Sequence, residues 1–178
     1  CNTAYPGERN TTDAHRRTMI KHGWSKLFDV DILDAEGPDL ELPIPNGKRI
    51  QKNLVGKDIK NYDSMLVLSH FKGHPMGGFG GALKQLSIGC ASSAGKANIH
   101  GAGKPEEMWT TEQNAFLESM ADAAESVVKL FDGKIVYINV MKNMSVDCDC
   151  CAVAEDPCMK DIGILASLDP IAIDQACL

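Results

Sequence analysis

Four of the seven cysteines lie in one short segment, CDCCAVAEDPC at residues 148–158. Thiolates favour zinc, copper(I) and iron–sulfur clusters, so this segment predicts a transition-metal or iron–sulfur site. Its spacing, C-x-C-C-x6-C, differs from the C-x2-C pairs that zinc fingers use. The predicted metal ligands are Cys148, Cys150, Cys151 and Cys158. Buried inert thiols or an adventitious disulfide remain the alternative explanation of the segment.

Three acidic residues flank these cysteines: Asp147, Asp149 and Asp156. Negative neighbours disfavour the thiolate form of a cysteine, so without a metal these thiols are expected to be poor nucleophiles. The flanking charges therefore favour metal binding over an enzyme that uses a cysteine nucleophile.

Two histidines follow an apolar run in LSHFKGHPMGGFGGALKQLSIGC, residues 68–90. Histidine shuttles protons near neutral pH or binds a metal through a neutral ring nitrogen. The glycine and proline around the second histidine argue against a helix, but the two side chains can still converge from a strand end and a loop. We predict His70, His74 and Lys84 as catalytic residues. For each histidine alone, the alternative is a hydrogen-bonded structural side chain.

A glycine-rich run, GGFGG at residues 77–81, lies in the same segment. Glycines let the backbone approach a ligand closely and point N–H groups at it. A short helix over GALKQLSIG would direct its N-terminus at an anion, with Lys84 on its first turns. A Walker loop is excluded because Gly-Lys-Ser/Thr is absent, and Leu83 stands where the dinucleotide fingerprint needs a glycine. The candidate cofactor-binding residues are Gly77, Gly78, Gly80, Gly81 and Lys84, and a flexible turn without a ligand is the alternative.

Charge and cysteine usage limit the class of protein and its partners. The net charge of −6, without a block of lysine or arginine, argues against a nucleic-acid partner. No apolar run approaches the roughly 18 residues that cross a membrane. Adjacent Cys150 and Cys151 suit a secreted disulfide framework poorly, so we expect reduced thiols and a cytoplasmic location. A small anionic ligand is compatible with the composition, and the sequence leaves the oligomeric state open.

Strand-like and helix-like segments alternate along the chain, which predicts an α/β domain whose mainly parallel sheet has helices on both faces. Strands are predicted at residues 26–33, 62–71, 134–141 and 162–168, helices at 10–23 and 110–133, a loop or edge hairpin at 36–51, and a last helix after Asp169. The 178 residues suffice for a single domain. The chain starts without methionine and stops inside an apparent helix, so we expect a fragment truncated at both ends.

The predicted sheet would place the candidate residues along one edge. In open α/β sheets, ligands bind beyond the carboxyl ends of the strands. His70 ends the second predicted strand, Cys148 follows the third and Asp169 follows the fourth. If these strands run parallel, all three residues share one rim. We therefore expect His70 and His74 to form one site with the Cys148/Cys150 pair.

The long central segment SHFKGHPMGGFGGALKQLSIGCASSAGKANIHGAGKP resembles the signature of the domain-of-unknown-function 362 family. NTAYPGERNTT resembles its N-terminal motif, and DCDC and DIGILASLDPIAIDQAC resemble its C-terminal motifs. The resemblance implies an uncharacterised prokaryotic iron–sulfur-associated protein. Many members carry a ferredoxin-like insert after the GKP element, but here Pro105 leads directly into EEMWTTEQNAFLESM. A cluster held as in ferredoxins is therefore not implied.

A shorter segment, GFGGALKQLSIGCASSAGKANIH, is similar to part of the nickel-dependent lactate racemase family. In that family a lysine and a histidine hold a nickel pincer cofactor built on a nicotinic acid nucleotide. The resemblance implies that Lys84 and His100 are the matching cofactor-binding residues.

Three functions follow from these observations. The first is a cytoplasmic metal- or iron–sulfur-associated protein with redox activity. The second is a small-molecule enzyme, related to the nickel-dependent racemases, that acts on an anionic substrate. The third is a non-catalytic α/β binding module.

Overall fold

Seven short strands and five α-helices make up the fold in a computed structural model that describes residues 1–151 and 153–178. The helices are α1 (Thr12–Lys21), α2 (Ala82–Cys90), α3 (Ser93–His100), α4 (Gln113–Leu130) and α5 (Pro170–Cys177). The strands are β1 (Leu40–Pro43), β2 (Lys52–Val55), β3 (Met65–His70), β4 (Lys72–His74), β5 (Gly78–Gly80), β6 (Ile135–Met141) and β7 (Gly163–Ser167). The described chain is a mixed α/β domain with three small sheets.

The largest sheet has the strand order β3-β6-β7, and two hairpins, β1-β2 and β4-β5, form the other sheets. Only β3 and β6 pair in parallel, whereas the three other pairs of described strands are antiparallel. The prediction of a mainly parallel sheet is therefore wrong. Its cause lies after β6, where the chain returns through residues 142–162 without a crossover helix in the described part. Without that crossover β7 enters the sheet from the edge where β6 ends, so it must run antiparallel.

The α-helices cover one face of the three-stranded sheet, so the prediction of helices on both faces is also wrong. Helices α2 and α5 pack on the face that carries Val67 and Tyr137. Alternate residues point the other way along each strand. Leu66, Leu68 and Ile164 lie on that opposite face and are more than half exposed.

Helix α4 is the longest described helix, and it packs against α2 and α3. Its apolar face buries Phe116 and Ala123 in a second core with Ile88 of α2 and Ile99 of α3. Across that core, the Asp122 carboxylate accepts hydrogen bonds from three backbone N–H groups of the β1-β2 hairpin. No helix in the described residues combines the length and apolarity that a membrane span requires.

Most of the predicted local elements form where the sequence places them. Thr11 caps α1 through its side chain, β3 and β6 lie inside the segments predicted as strands, and Asp169 caps α5. The strand predicted at residues 26–33 is wrong. That segment follows a short 3-10 helix, and the side chains of Leu27 and Phe28 are largely exposed. None of the described strands pairs with it, so its apolar residues have no sheet to join.

Candidate metal centre

The β4-β5 hairpin positions His74. In its antiparallel register His74 lies opposite Gly78, and the intervening turn folds back over the ring. The ring nitrogen Nδ1 accepts hydrogen bonds from the backbone N–H groups of Met76, at 3.2 Å, and Gly77, at 2.9 Å. The ring also stacks on Phe116, with 6.5 Å between centroids. These contacts fix the orientation of the imidazole and leave Nε2 free to bind a metal ion or to donate a hydrogen bond.

The segment after β6 brings two cysteines to this histidine. One ring nitrogen of His74 and the sulfurs of Cys148 and Cys150 all lie within 4.8 Å of one another. His74 and Cys148 are buried, and Cys150 is half-buried. A tight turn holds the pair, because Cys150 donates its N–H to the Cys148 sulfur at 3.4 Å and Cys151 donates its N–H to the Cys148 carbonyl. Two sulfurs and one imidazole form a group that can hold a transition-metal ion.

The surroundings of Cys148 favour its thiolate. The hydrogen bond from Cys150 lowers the pKa of Cys148 against the effect of burial, and His74 and the Lys84 ammonium lower it further. Lys84 Nζ lies 3.7 Å from the Cys148 sulfur. The same interaction between the two sulfurs raises the pKa of Cys150, so Cys148 is the one of the pair that favours the thiolate. The hydrogen bonds and the lysine at Cys148 thus oppose the flanking aspartates, which are expected to disfavour the thiolate.

Asp149, between the two cysteines, anchors the segment to the sheet. Its carboxylate accepts a hydrogen bond from His70 Nδ1 at 3.0 Å and forms an ion pair with Lys72 Nζ at 2.8 Å. Burial raises the pKa of Asp149, but Lys72 and His70 outweigh it, and the net shift is downward. The second ring nitrogen of His70 lies 2.8 Å from the Lys142 carbonyl oxygen. His70 is therefore engaged in holding the segment and lies outside the donor group.

The other two predicted cysteine ligands also lie outside the donor group. Cys151 is half-buried and lines the same cavity as Cys150, but its sulfur is not part of the donor group. Cys158 is exposed, and its N–H donates to the Met144 carbonyl at 3.0 Å. Asp169 was predicted on the same rim as His70 and Cys148. Because β7 is antiparallel to β6, its carboxyl end, and Asp169 with it, lies at the other edge of the sheet, where Asp169 caps α5. The structure thus brings together two of the four predicted cysteines.

A cavity of about 510 Å³ adjoins the donor group, and both His74 and Cys150 line it. Lys84 and His100 lie in its wall as well. The His100 ring stacks on Phe116 at 4.9 Å, and its Nδ1 lies 2.7 Å from the Lys96 carbonyl oxygen. Because a carbonyl only accepts, Nδ1 carries a proton and Nε2 keeps its lone pair when the ring is neutral. Burial lowers the pKa of His100, which favours that neutral form.

Two cationic side chains and one histidine of this cavity, Arg9, Lys96 and His15, were not among the residues predicted to form a site. Burial lowers the pKa of His15 to about 4, so its ring is neutral at neutral pH. Arg9 belongs to the NTAYPGERNTT motif and His15 to α1, and neither segment contains a ligand-binding pattern of its own. Lys96 had one usable signal, since it is the one lysine in a short helix made mostly of small and apolar residues.

The glycine-rich run forms the end of the β4-β5 turn, strand β5 and the N-cap of α2, and its four glycines are not among the described residues that line the cavity. The N–H groups of Ala82 and Leu83 donate to the carboxylate of Asp174 in α5, at 2.7 and 2.9 Å. A Cβ at Gly81 would lie 2.3 Å from Asp174 Oδ1, so only glycine fits there. The anion at this helix N-terminus is thus the protein's own carboxylate. A cofactor-binding role of the glycines stays a prediction.

A family model described as Domain of unknown function (DUF362) matches residues 3–178. The chain belongs to this family. No curated protein and no solved structure gives a significant match to the chain. DUF362 is uncharacterised, so membership brings no activity with it, and the function must be argued from the donor group and its cavity. The similarity of this DUF362 chain to the lactate racemases stays a prediction.

Proposed function

We propose that the protein binds a transition-metal ion through the thiolates of Cys148 and Cys150 and the imidazole of His74. The observation that carries this proposal is the approach of these three donor atoms to within 4.8 Å of one another. Thiolates and imidazoles together favour zinc, copper, iron or nickel over magnesium and calcium. Three protein donors leave one coordination position open, as in catalytic rather than structural zinc sites. His74 and Cys150 line the cavity, so that position is accessible to a small molecule.

The hydrogen bonds of His74 set a condition on this ligand set. Because Nδ1 accepts from Met76 and Gly77, a neutral ring carries its proton on Nε2. To ligate through Nε2, the ring must release that proton. A neutral ligated ring then carries its proton on Nδ1, where two N–H groups now point. We infer that the two thiolates are the primary ligands and that the turn at residues 75–77 shifts when His74 joins them.

A single ion suits the site better than an iron–sulfur cluster. Such clusters are usually held by four cysteine thiolates, and two sulfurs belong to the donor group among the described residues. Iron or copper would make the protein redox-active, whereas zinc would supply a Lewis acid without redox chemistry. Elemental analysis distinguishes these roles.

A cytoplasmic location follows from the same proposal. All seven cysteines, which lie within the described residues, are free thiols in the structure. The two ligand cysteines must stay reduced to hold the ion, and reducing compartments maintain that state.

A second candidate function is a small-molecule enzyme related to the nickel-dependent racemases. It is favoured by the position of Lys84 and His100, which line one cavity, and by the free lone pair on His100 Nε2. These two side chains would hold the pincer nucleotide, which supplies nickel-centred chemistry when bound. The cavity volume lies within the range of small-molecule sites.

Metal analysis tests these functions on protein purified without air and without an affinity tag. We expect about one transition-metal ion per chain and no acid-labile sulfide. After chelation, added cobalt(II) should produce intense sulfur-to-cobalt charge-transfer absorption, because both primary ligands are thiolates. Iron with sulfide would favour a cluster, and nickel with a tightly bound chromophore would favour the second candidate. Colourless protein that binds no metal and no cobalt would contradict the proposal and favour a non-catalytic binding module.

Replacing Asp149 by alanine should weaken metal binding about 10- to 100-fold, the usual effect of losing a partner that orients a ligand. The variant lacks the carboxylate that contacts His70 and Lys72, so the segment that carries the two cysteines is no longer held in place. Competition with a chromophoric chelator measures the affinity. Asp156→Ala removes the same charge from an exposed position of the segment and serves as the matched control. Equal affinities of the Asp149 variant and the unmodified protein would show that the anchor has no role.

A further inference from the structure

The cavity beside the donor group is positively charged. Arg9, Lys84 and Lys96 line it, and no aspartate or glutamate is found among its described lining residues. Elsewhere on the described surface, lysines such as Lys52 and Lys104 form ion pairs with glutamates. None of the ion pairs among described residues involves the three cations of the cavity. Lys84 lies beside the Cys148 sulfur, whereas the charges of Arg9 and Lys96 are available to a ligand.

Lys96 makes the strongest case, because only 8% of it is exposed. Burying an ammonium group costs free energy unless hydrogen bonds and opposite charge compensate it. Its Nζ donates to the Ala91 carbonyl, which is a neutral acceptor. Burial lowers the pKa of Lys96 to about 8, against the opposing effect of Asp34, so the group is still mainly protonated at neutral pH. The Asp34 carboxylate instead accepts from the backbone N–H groups of Asn2 and Ser93.

An apolar surface completes the cavity. Four apolar residues contribute to its wall: Met76, Ile88, Met108 and Trp109. Tyr5, a further lining residue, packs against Trp109 with 5.7 Å between ring centroids. Small-molecule sites typically combine such a surface with a few polar groups that fix orientation. A matching ligand has one anionic group and an apolar body.

We propose that this cavity binds a small organic anion, whose oxyanion group contacts Arg9, Lys84 and Lys96 and whose apolar part lies against Ile88 and Trp109. Carboxylates and phosphates share this chemistry, and both form strong charge-assisted hydrogen bonds with lysine and arginine. The inference goes beyond the metal site and does not require an ion. It also names the class of molecule that would lie next to an ion bound at Cys150.

Calorimetric titration of chelator-treated full chain tests the proposal with four probes: benzoate, phenyl phosphate, inorganic phosphate and the uncharged benzamide. We expect at least one aryl anion to bind, inorganic phosphate to bind more weakly, and benzamide to give no heat. Comparing benzoate with phenyl phosphate identifies the preferred oxyanion. Because the protein is metal-free, the result is independent of the cobalt titration, and the two proposals fail separately.

Charge-removing variants locate the binding site of the anion. Lys96→Met and Arg9→Met should each weaken aryl-anion binding about tenfold or more, the effect of losing one charge-assisted hydrogen bond. Lys134→Met and Arg16→Met remove the same charges from exposed positions outside the cavity wall and should leave binding unchanged. Lys96 is replaced by an apolar side chain of similar length, and circular dichroism checks its fold. Arg9 is half-buried, so its variant keeps the test decisive if the Lys96 variant unfolds.

Several results would overturn the proposal. One is the absence of binding by both aryl anions at millimolar concentration. Another is equal binding of benzamide and benzoate, which would show that charge is irrelevant. A third is unchanged affinity in the folded Lys96 and Arg9 variants, which would place the anion elsewhere. Tighter binding of inorganic phosphate than of phenyl phosphate would show that the apolar wall of the cavity does not contribute to binding.

Discussion

Protein in which Cys148 and Cys150 are both replaced by serine should retain less than about a tenth of its transition metal, since losing even an orienting partner costs 10- to 100-fold in affinity. A serine hydroxyl stays protonated at neutral pH and is a hard oxygen donor, unlike the soft thiolate. His74 would then be the one remaining donor of the group, and its Nδ1 is already engaged by the turn that follows it. Metal per chain, measured by elemental analysis after dialysis, gives the result.

Two controls make this experiment decisive. Cys158→Ser changes an exposed thiol of the same segment that lies outside the donor group, so its metal content should equal that of the unmodified protein. Cys150→Ser alone changes a half-buried ligand and guards against unfolding of the double variant. Full metal content in folded double-serine protein, or loss of metal in the Cys158 variant, would place the ion elsewhere.

The members of this donor group were predictable from sequence because their chemistry is local. Cysteines one residue apart after a strand can point the same way, and a histidine after a parallel neighbouring strand lies at the same sheet edge. The parallel pairing of β3 and β6 satisfies this condition. The sequence could not rank the candidates, because the contact of His70 with Asp149 and the exposure of Cys158 depend on how residues 142–162 fold.

The direction of β7 and two cations of the cavity, Arg9 and Lys96, could not be predicted for a different reason. A strand pattern encodes which side chains are apolar, but not the direction in which the strand enters a sheet. Likewise Arg9 and Lys96 are far apart in sequence. Each lies in a segment that resembles a family motif, but nothing in either segment indicates that the two side chains share a cavity. Only the packing of the N-terminal segment near α3 places both in one cavity wall.

The glycine-rich run shows how a sequence signal can be satisfied within the protein itself. Glycine at residue 81 does mark a close approach to the backbone, and the N–H groups that follow do bind an anion. That anion is the carboxylate of Asp174, which lies 92 residues after Ala82 in the chain. Sequence patterns cannot distinguish a ligand from a distant carboxylate of the same protein, because both satisfy the same N–H groups.

Asp174 is consequently expected to be one of the most sensitive positions for stability. Its side chain is 2% exposed and accepts hydrogen bonds from the N–H groups of Ala82 and Leu83 and from Asn139 Nδ2. The positive end of the α2 dipole adds to this stabilisation. Asp174→Ala leaves two buried donors, the Ala82 N–H and Asn139 Nδ2, and the part-buried Leu83 N–H without an acceptor. We therefore expect the free energy of unfolding to fall by about 3 to 5 kcal/mol. Urea denaturation followed by circular dichroism measures it.

Asp169→Ala is the matched control, because it removes an aspartate from the same helix at an exposed position. Asp169 accepts from the N–H groups of Ile171 and Ala172 as the N-cap of α5, a role whose loss costs about 1 kcal/mol. Asp174→Asn keeps the shape and one acceptor oxygen, so it should fall between the two alanine variants. Since α2 carries Lys84 beside Cys148, weaker metal binding should accompany the lost stability. Equal losses for both alanine variants would mean that water replaces the carboxylate, and that the α2 N-terminus does not depend on Asp174.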